Sequence, residues 1–216
     1  MSAAYHFTRL VLVRHAQARS ADGLYGPDTP LSDLGREQAR LLSAGLTSVL
    51  PISALYCSPL PRAVETAAPL AERLSLAPSM DARLCEFEME RAPLDALASR
   101  RDDILLWRPE QRGSRGGETI AVFLTRVGQF CAEVCERNPD RAVAVVTHAG
   151  AIDAVYRWAL DIQPTEPWVF EVEVPNASVS EIAVWPHGRM DGGPPRLAVL
   201  YRVGDVSHLG GRTSAL

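Results

Sequence analysis

The chain has 216 residues, 47% of them apolar and 22% charged, with a formal net charge of −4. These figures fit one globular domain, or a compact domain with an inserted lobe, and argue against general nucleic-acid binding while leaving room for a local basic pocket. All 22 basic residues are arginine, which closes the Schiff-base and P-loop mechanisms that need a lysine.

Residues 7–13 form an apolar, branched run that predicts a buried strand, ending at Arg14-His15 where small and polar residues begin. Residues 17–29 read as a loop punctuated by Gly23, Gly26 and Pro27. Ser32 is placed to cap a helix carrying Leu34, Ala39, Leu41, Leu42 and Leu46 at helical spacing, and Pro51 closes it. A second strand is expected over 52–57, stopping at Ser58-Pro59-Leu60-Pro61-Arg62, whose prolines suit a turn and a helix start. Residues 62–76 predict a helix that Pro69 should kink or divide.

Residues 81–93 are acidic and irregular, 94–107 predict a short helix, and 112–117 a polar loop. Residues 118–137 give the clearest amphipathic helix, with Ile120, Phe123, Leu124, Val127, Phe130 and Val134 on one face. A third buried strand over 142–146 runs into Thr147-His148-Ala149-Gly150, and a helix follows over 151–160. Residues 169–174, 178–185 and 197–203 read as further strands. Alternating strands and helices imply the α/β class, a mostly parallel sheet with helices on both faces.

Cys57, Cys85, Cys131 and Cys135 show no CxxC pairing, and Cys131 and Cys135 stand at i, i+4, so buried thiols are expected. Residues 1–9 are too polar and short for a secretory leader, and no stretch approaches a membrane span, so a cytoplasmic location is the expectation.

Three apolar strands thus end in Arg14-His15, in Ser58 with Arg62 just beyond, and in His148. If these strands are parallel neighbours, their ends meet at one rim, where open α/β sheets bind ligands. Two guanidiniums and two imidazoles suit a phosphoryl group: arginine forks bind its oxygens, and a neutral imidazole can attack phosphorus to give a phosphohistidine. The leaving alkoxide then needs a proton. Glu86, on an acidic loop, is the first candidate and Glu118, after Gly116-Gly117, the second, although a helix-start carboxylate is the plainer reading of Glu118. His6, His187 and His208 have only packing or surface contexts, and the four tryptophans read as packing residues, with Trp107 a candidate to line the insert.

Arg14-His15-Ala16 resembles the Arg-His-Gly signature of the histidine phosphatase superfamily, also called phosphoglycerate-mutase-like. In order along the chain, Pro30-Leu31-Ser32-Asp33-Leu34-Gly35 is similar to its "PLT-x-x-G" stretch. Ser58 to Ala63 with Glu65-Thr66-Ala67 is similar to "SPL-x-RA-x-x-TA", and Gly116-Gly117-Glu118-Thr119 to "GGES". Val146 to Gly150 is similar to "VSHGG", Asn176 to Val179 to "N-x-S-I", and Val206 to Leu209 to the tail of "NDTSHL". The resemblance implies a three-layer α/β/α sandwich with a helical insert over the C-terminal strand ends, about 87–117, all in one domain. It implies His15 as the phosphorylated nucleophile, Arg14, Arg62 and His148 around the phosphate, Glu86 as proton donor, and no metal or other cofactor.

The chain departs from that pattern at Ala16 and Ala149, where glycine is usual, and at Ala21, where many members carry a phosphate-touching Asn; Gln17, Ser20 or a main-chain amide is expected to substitute. The usual "G-x-WEG" is replaced by Phe87-Glu88-Met89-Glu90, which leaves Glu88 as an alternative acid. The insert carries Arg91, Arg100, Arg101, Arg108, Arg112 and Arg115 but no clear second phosphate site. A phosphatase acting on a small phosphorylated metabolite is therefore the expectation. The alternatives are a cofactor-dependent phosphoglycerate mutase, a protein phosphohistidine phosphatase and, last, a non-catalytic binding module.

Overall fold

The structure, a computed structural model, describes residues 6–46, 51–87, 92–93, 108–113, 117–167, 171–186 and 196–213. The first apolar run forms β1 (Thr8–Arg14), buried through Val13 on both faces. A two-residue strand β2 (Leu24–Tyr25) precedes helix α1 (Asp33–Gly45), whose N-cap Ser32 accepts from the Gly35 N–H at 3.0 Å. Gly35 packs so closely on the loop after the first strand that a Cβ would lie 2.0 Å from the Gln17 carbonyl oxygen.

β3 (Ile52–Cys57) leads through Pro61 at the first helical turn into α2 (Pro61–Leu74). The expected break at Pro69 does not occur, and α2 runs through it as one helix. Ala63, Ala67 and Leu70 stay buried on either side of the proline, and Ser43 of α1 donates its hydroxyl to the Pro69 carbonyl at 2.7 Å. Tertiary packing here outweighs the lost backbone bond. The helix ends at Leu74 and is capped by Ser75 in the left-handed conformation.

Short strands β4 (Ser79–Met80) and β5 (Ala92–Pro93) flank a 3₁₀ turn over Ala82–Leu84. The amphipathic helix α3 (Ile120–Arg137) starts two residues later than its pattern suggested, because Thr119 takes the N-cap. β6 (Arg141–Thr147), α4 (Ala149–Ala159), β7 (Val179–Trp185) and β8 (Leu197–Asp205) complete the chain.

Residues 171–174 are not the strand their alternation suggested. Their backbone groups are taken by side chains instead: Asp153 accepts from the Val172 N–H at 3.0 Å, and Arg14 donates to the Val174 carbonyl at 2.6 Å. The helix expected over 94–107, with Trp107, lies outside the described residues, as does most of the insert.

The main sheet has the order β4-β3-β6-β1-β7-β8. β1, β3 and β4 run parallel with or alongside β6, and β7 pairs antiparallel with both β1 and β8. One face buries Leu10, Leu12, Val143 and Val145 under Phe123, Phe130 and Ile152 of α3 and α4. The other buries Val11, Val13, Leu55 and Val146 under Leu42, Ala67 and Leu70 of α1 and α2. This is the expected three-layer α/β/α sandwich. Each fully buried Leu or Phe contributes about 1.5–3 kcal/mol, so the platform beneath the strand ends is stiff compared with any single polar contact above it. Among the described residues no helix is long and apolar enough to cross a membrane.

Candidate active site

β3, β6 and β1 are adjacent and parallel, so Ser58, His148 and His15 leave the sheet side by side. Sheet pairing continues past the strand ends: the His15 N–H donates to Thr147 at 2.8 Å and the Ser58 N–H to Val146 at 3.0 Å. The imidazoles of His15 and His148 lie 5.1 Å apart between centroids, tilted by 58°, and both are buried. The convergence expected from the sequence is present.

His15 Nδ1 lies 2.7 Å from the Ala16 carbonyl oxygen. A carbonyl only accepts, so Nδ1 carries the hydrogen and Nε2 keeps its lone pair. Burial, reinforced by the positive charges of Arg62 and Arg14, holds the His15 pKa well below the usual 6.5. The neutral, nucleophilic form is the one that occupies the site. The loop that follows is stitched to α2 by Thr66, whose hydroxyl accepts from the Ala16 N–H at 3.0 Å and donates to the Arg62 carbonyl at 2.6 Å. The His15 carbonyl is held by the Ala177 N–H at 3.2 Å and by Asn176 Nδ2 at 3.1 Å.

His148 stands at the N-cap of α4, and its Nε2 shares a hydrogen bond with Ser58 Oγ at 2.8 Å. Its Nδ1 is buried with no hydrogen-bond partner among the described residues, and so is Arg62 Nε. Buried polar atoms of this kind can be satisfied by a polar ligand or an ordered water. Burial, His15 and the nearby arginines together press the His148 pKa well below its ordinary value. Arg62, in the first turn of α2, is 2% exposed and donates through Nη1 to the Gly26 and Pro27 carbonyls at 3.0 and 3.3 Å. Arg14, half-buried, is tied to Val174 as described above.

Glu86 reaches the same rim from the loop after the 3₁₀ turn. Its Oε2 accepts from the Gly150 N–H at 3.0 Å and its Oε1 from the Phe87 N–H at 2.9 Å. This seats the carboxyl at the amino end of α4, two residues beyond the N-cap His148. Glu118 stands elsewhere. It binds Arg126 through both oxygens, at 2.6 and 2.8 Å. Arg126 in turn donates to the carbonyls of Arg83 at 2.7 Å, Cys85 at 2.9 Å and Glu86 at 3.4 Å. The second acid candidate thus holds the arginine that holds the backbone of the first.

Gln17 is engaged with α1: its Oε1 accepts from the Ser32 hydroxyl at 2.6 Å, and its N–H donates to Gln38 at 2.9 Å. Glu88, the alternative acid, lies outside the described residues, as do Arg91, Arg100, Arg101 and Arg115 of the insert, and His187. His208 donates to the Ala177 carbonyl at 2.9 Å and His6 pairs with Asp140, in keeping with packing and surface roles. The four cysteines are free thiols, and burial pushes Cys57 and Cys135 up to about 12, which leaves them poor nucleophiles.

Two residues around the site were not singled out from the sequence. Tyr25 places its hydroxyl 3.3 Å from His15 Nε2, and Arg126 acts as the clamp just described. Arg126 follows Glu118 by eight residues, about two helical turns, and that spacing is the one hint it offered.

The sequence model of the histidine phosphatase superfamily (branch 1) matches residues 10–190. Phosphoserine phosphatase 1 of Hydrogenobacter thermophilus is 32% identical over 193 residues, 81% of this chain and 85% of that protein. Glucosyl-3-phosphoglycerate phosphatase of Mycolicibacterium vanbaalenii is 33% identical over 207 residues, 88% of this chain and 89% of that protein. The solved mycobacterial glucosyl-3-phosphoglycerate phosphatase complexed with inorganic phosphate superposes with a TM-score of 0.68 at 25% identity, covering 93% of this chain and 98% of that one. The chain belongs to the histidine phosphatase superfamily, and it is a phosphatase.

Proposed function

We propose that the protein hydrolyses a small phosphorylated metabolite in two steps through a phosphoryl group carried on His15 Nε2. The reading rests on the His15 tautomer: Nδ1–H is committed to Ala16, so Nε2 keeps its lone pair, with the His148 ring 5.1 Å away between centroids and Arg62 and Arg14 close enough to depress its pKa. In the first step that lone pair attacks phosphorus, the bond from phosphorus to the ester oxygen breaks, and the protonated carboxyl of Glu86 delivers its proton to the departing alkoxide. In the second, Glu86 as carboxylate takes a proton from water. The water oxygen attacks phosphorus, the P–N bond breaks, and Nε2 regains its lone pair as inorganic phosphate leaves. Arg14, Arg62 and His148 stabilise charge on the equatorial oxygens in both transition states. Gln17 remains available through its amide nitrogen to stand in for the Asn that Ala21 replaces.

The two curated relatives are named for phosphoserine and glucosyl-3-phosphoglycerate, small phosphomonoesters that also carry a carboxylate, and substrates of that chemistry are the first to assay. The insert over 87–117 is the segment that would distinguish among them. Water, rather than a second sugar-acid oxygen, is the acceptor. Free thiols throughout suit a reducing, cytoplasmic setting.

The test is direct. Purified protein should release phosphate from an aryl phosphate in the presence of a chelator and form an acid-labile phosphoprotein with labelled substrate. His15→Ala should lose both, and label that survives in this variant would move the nucleophile to His148.

A further inference from the structure

We propose that Tyr25 is a catalytic residue of this site: its hydroxyl caps His15 Nε2 in the free enzyme and, once substrate arrives, donates to a non-bridging oxygen of the phosphoryl group. The inference rests on the reading of His15 as nucleophile and deepens it.

The contact has a defined direction. Because Nδ1 of His15 carries the hydrogen, Nε2 only accepts, and the Tyr25 hydroxyl 3.3 Å away must be the donor. Burial raises the Tyr25 pKa, which keeps the phenol protonated and able to donate. The distance also matters. Phosphorus in a near-attack arrangement stands about 3–3.5 Å from the attacking atom, so the phenolic oxygen sits at or beside the place phosphorus must take. Substrate therefore displaces the hydroxyl from nitrogen. The oxygens spread around phosphorus then lie within hydrogen-bond reach of a hydroxyl that has moved by little more than its own width.

The ring is held where such a small movement suffices. Its guanidinium neighbour Arg62 lies 5.0 Å from the ring centroid, and Arg62 is fastened to the carbonyls of Gly26 and Pro27, the next two residues. On the other side, Tyr25 pairs with Ala92 in the two-stranded ladder of β2 and β5. β5 lies within the 87–117 insert, so the ladder connects the segment expected to choose the substrate to the group that touches the nucleophile. Arg14, Arg62 and His148 supply charged and aromatic donors; Tyr25 adds a neutral hydroxyl aimed at the reacting nitrogen itself.

The test compares wild type, Tyr25→Phe and His15→Ala, using p-nitrophenyl phosphate turnover and inhibition by orthovanadate and inorganic phosphate. Tyr25→Phe keeps the ring, its place against Arg62 and the ladder, and its thermal midpoint should match wild type. Loss of one transition-state donor predicts a fall in kcat/KM of about 10²-fold and a comparable rise in the vanadate inhibition constant. The phosphate inhibition constant should rise by less than about tenfold, the ground state needing the donor less. Unchanged vanadate inhibition, or a variant faster than wild type as expected of a mere plug, would overturn the proposal. Absence of turnover in wild type, or full turnover in His15→Ala, would instead overturn the reading of His15 on which it stands.

Discussion

The Gly150 N–H donates to Glu86 Oε2, and a Cβ at Gly150 would come within 2.4 Å of Glu86 Oε1. The carboxyl rests directly on the first turn of α4, and only a residue without a side chain leaves room for it. Gly150→Ala should therefore act on Glu86 without touching any group that binds phosphate. The helix itself favours alanine over glycine by about 1 kcal/mol in its interior, so stability should not suffer greatly. We expect Gly150→Ala and Glu86→Gln to share one signature: turnover of alkyl phosphates, which need the proton, falls more than turnover of p-nitrophenyl phosphate. Equal losses on both substrate types would remove Glu86 from the role of acid.

Arg126 offers a second route to the same group. Replacing it with alanine releases three backbone carbonyls around Glu86 and leaves Glu118 without its bidentate partner. Misplacement of a reacting group by about 1 Å costs up to about 10²-fold in rate. Arg126→Ala should thus lower kcat on alkyl phosphates while KM changes little. Arg126→Lys, which supplies charge without a planar fork, should restore only part of it. A change confined to KM would point to substrate contact instead.

His15 and His148 give stability a pH dependence of known sign. Both have folded pKa values well below the 6.5 of an unconstrained imidazole. Above pH 6.5 the two rings are neutral in folded and unfolded chains alike. Below it the unfolded chain binds protons that the folded one refuses, so stability is lost as pH falls, by up to about 1.4 kcal/mol per pH unit for each ring. Melting temperatures measured from about pH 8 to about pH 5 should fall on the acid side. The His15→Ala/His148→Ala double variant should show a shallower fall; an identical slope would mean the rings do not differ between the two states.

The pair Asp153–Arg157 lies one turn further along α4, with both side chains 2% exposed and Arg157 Nε 2.8 Å from Asp153 Oδ2. Arg157→Leu strands a buried carboxylate and should cost about 3–5 kcal/mol. Burial already raises the Asp153 pKa, so acidification should return part of that loss by protonating the carboxyl. Denaturant titrations at two pH values test both statements, and a single variant as stable as wild type would contradict them.

The four residues proposed to line the phosphate pocket were legible because each ends an apolar strand or opens the helix behind one, where a reactive side chain stands out. Arg14, His15 and His148 follow runs of Val and Leu, and Arg62 follows a proline-marked helix start. Glu86 was readable only as one acid among several, since its seat depends on Gly150, far along the chain. Tyr25 was hidden because a two-residue ladder has no periodicity, and Arg126 because an arginine on a helix normally signals a solvated face. Residues 171–174 misled for the opposite reason. Their alternation of Glu and Val is that of a strand, but Asp153 and Arg14 claim the backbone groups a neighbouring strand would need.

β1 and β6 pair over their whole length, Thr8 with Arg141 through Arg14 with Thr147, although α1, β3, α2 and α3 lie between them in the chain. Neither histidine has its neighbour until that pairing is made, and closing so long a stretch of chain is among the slower events in folding. The pocket is complete only where these two strands lie side by side, so any change that loosens their register moves both histidines at once.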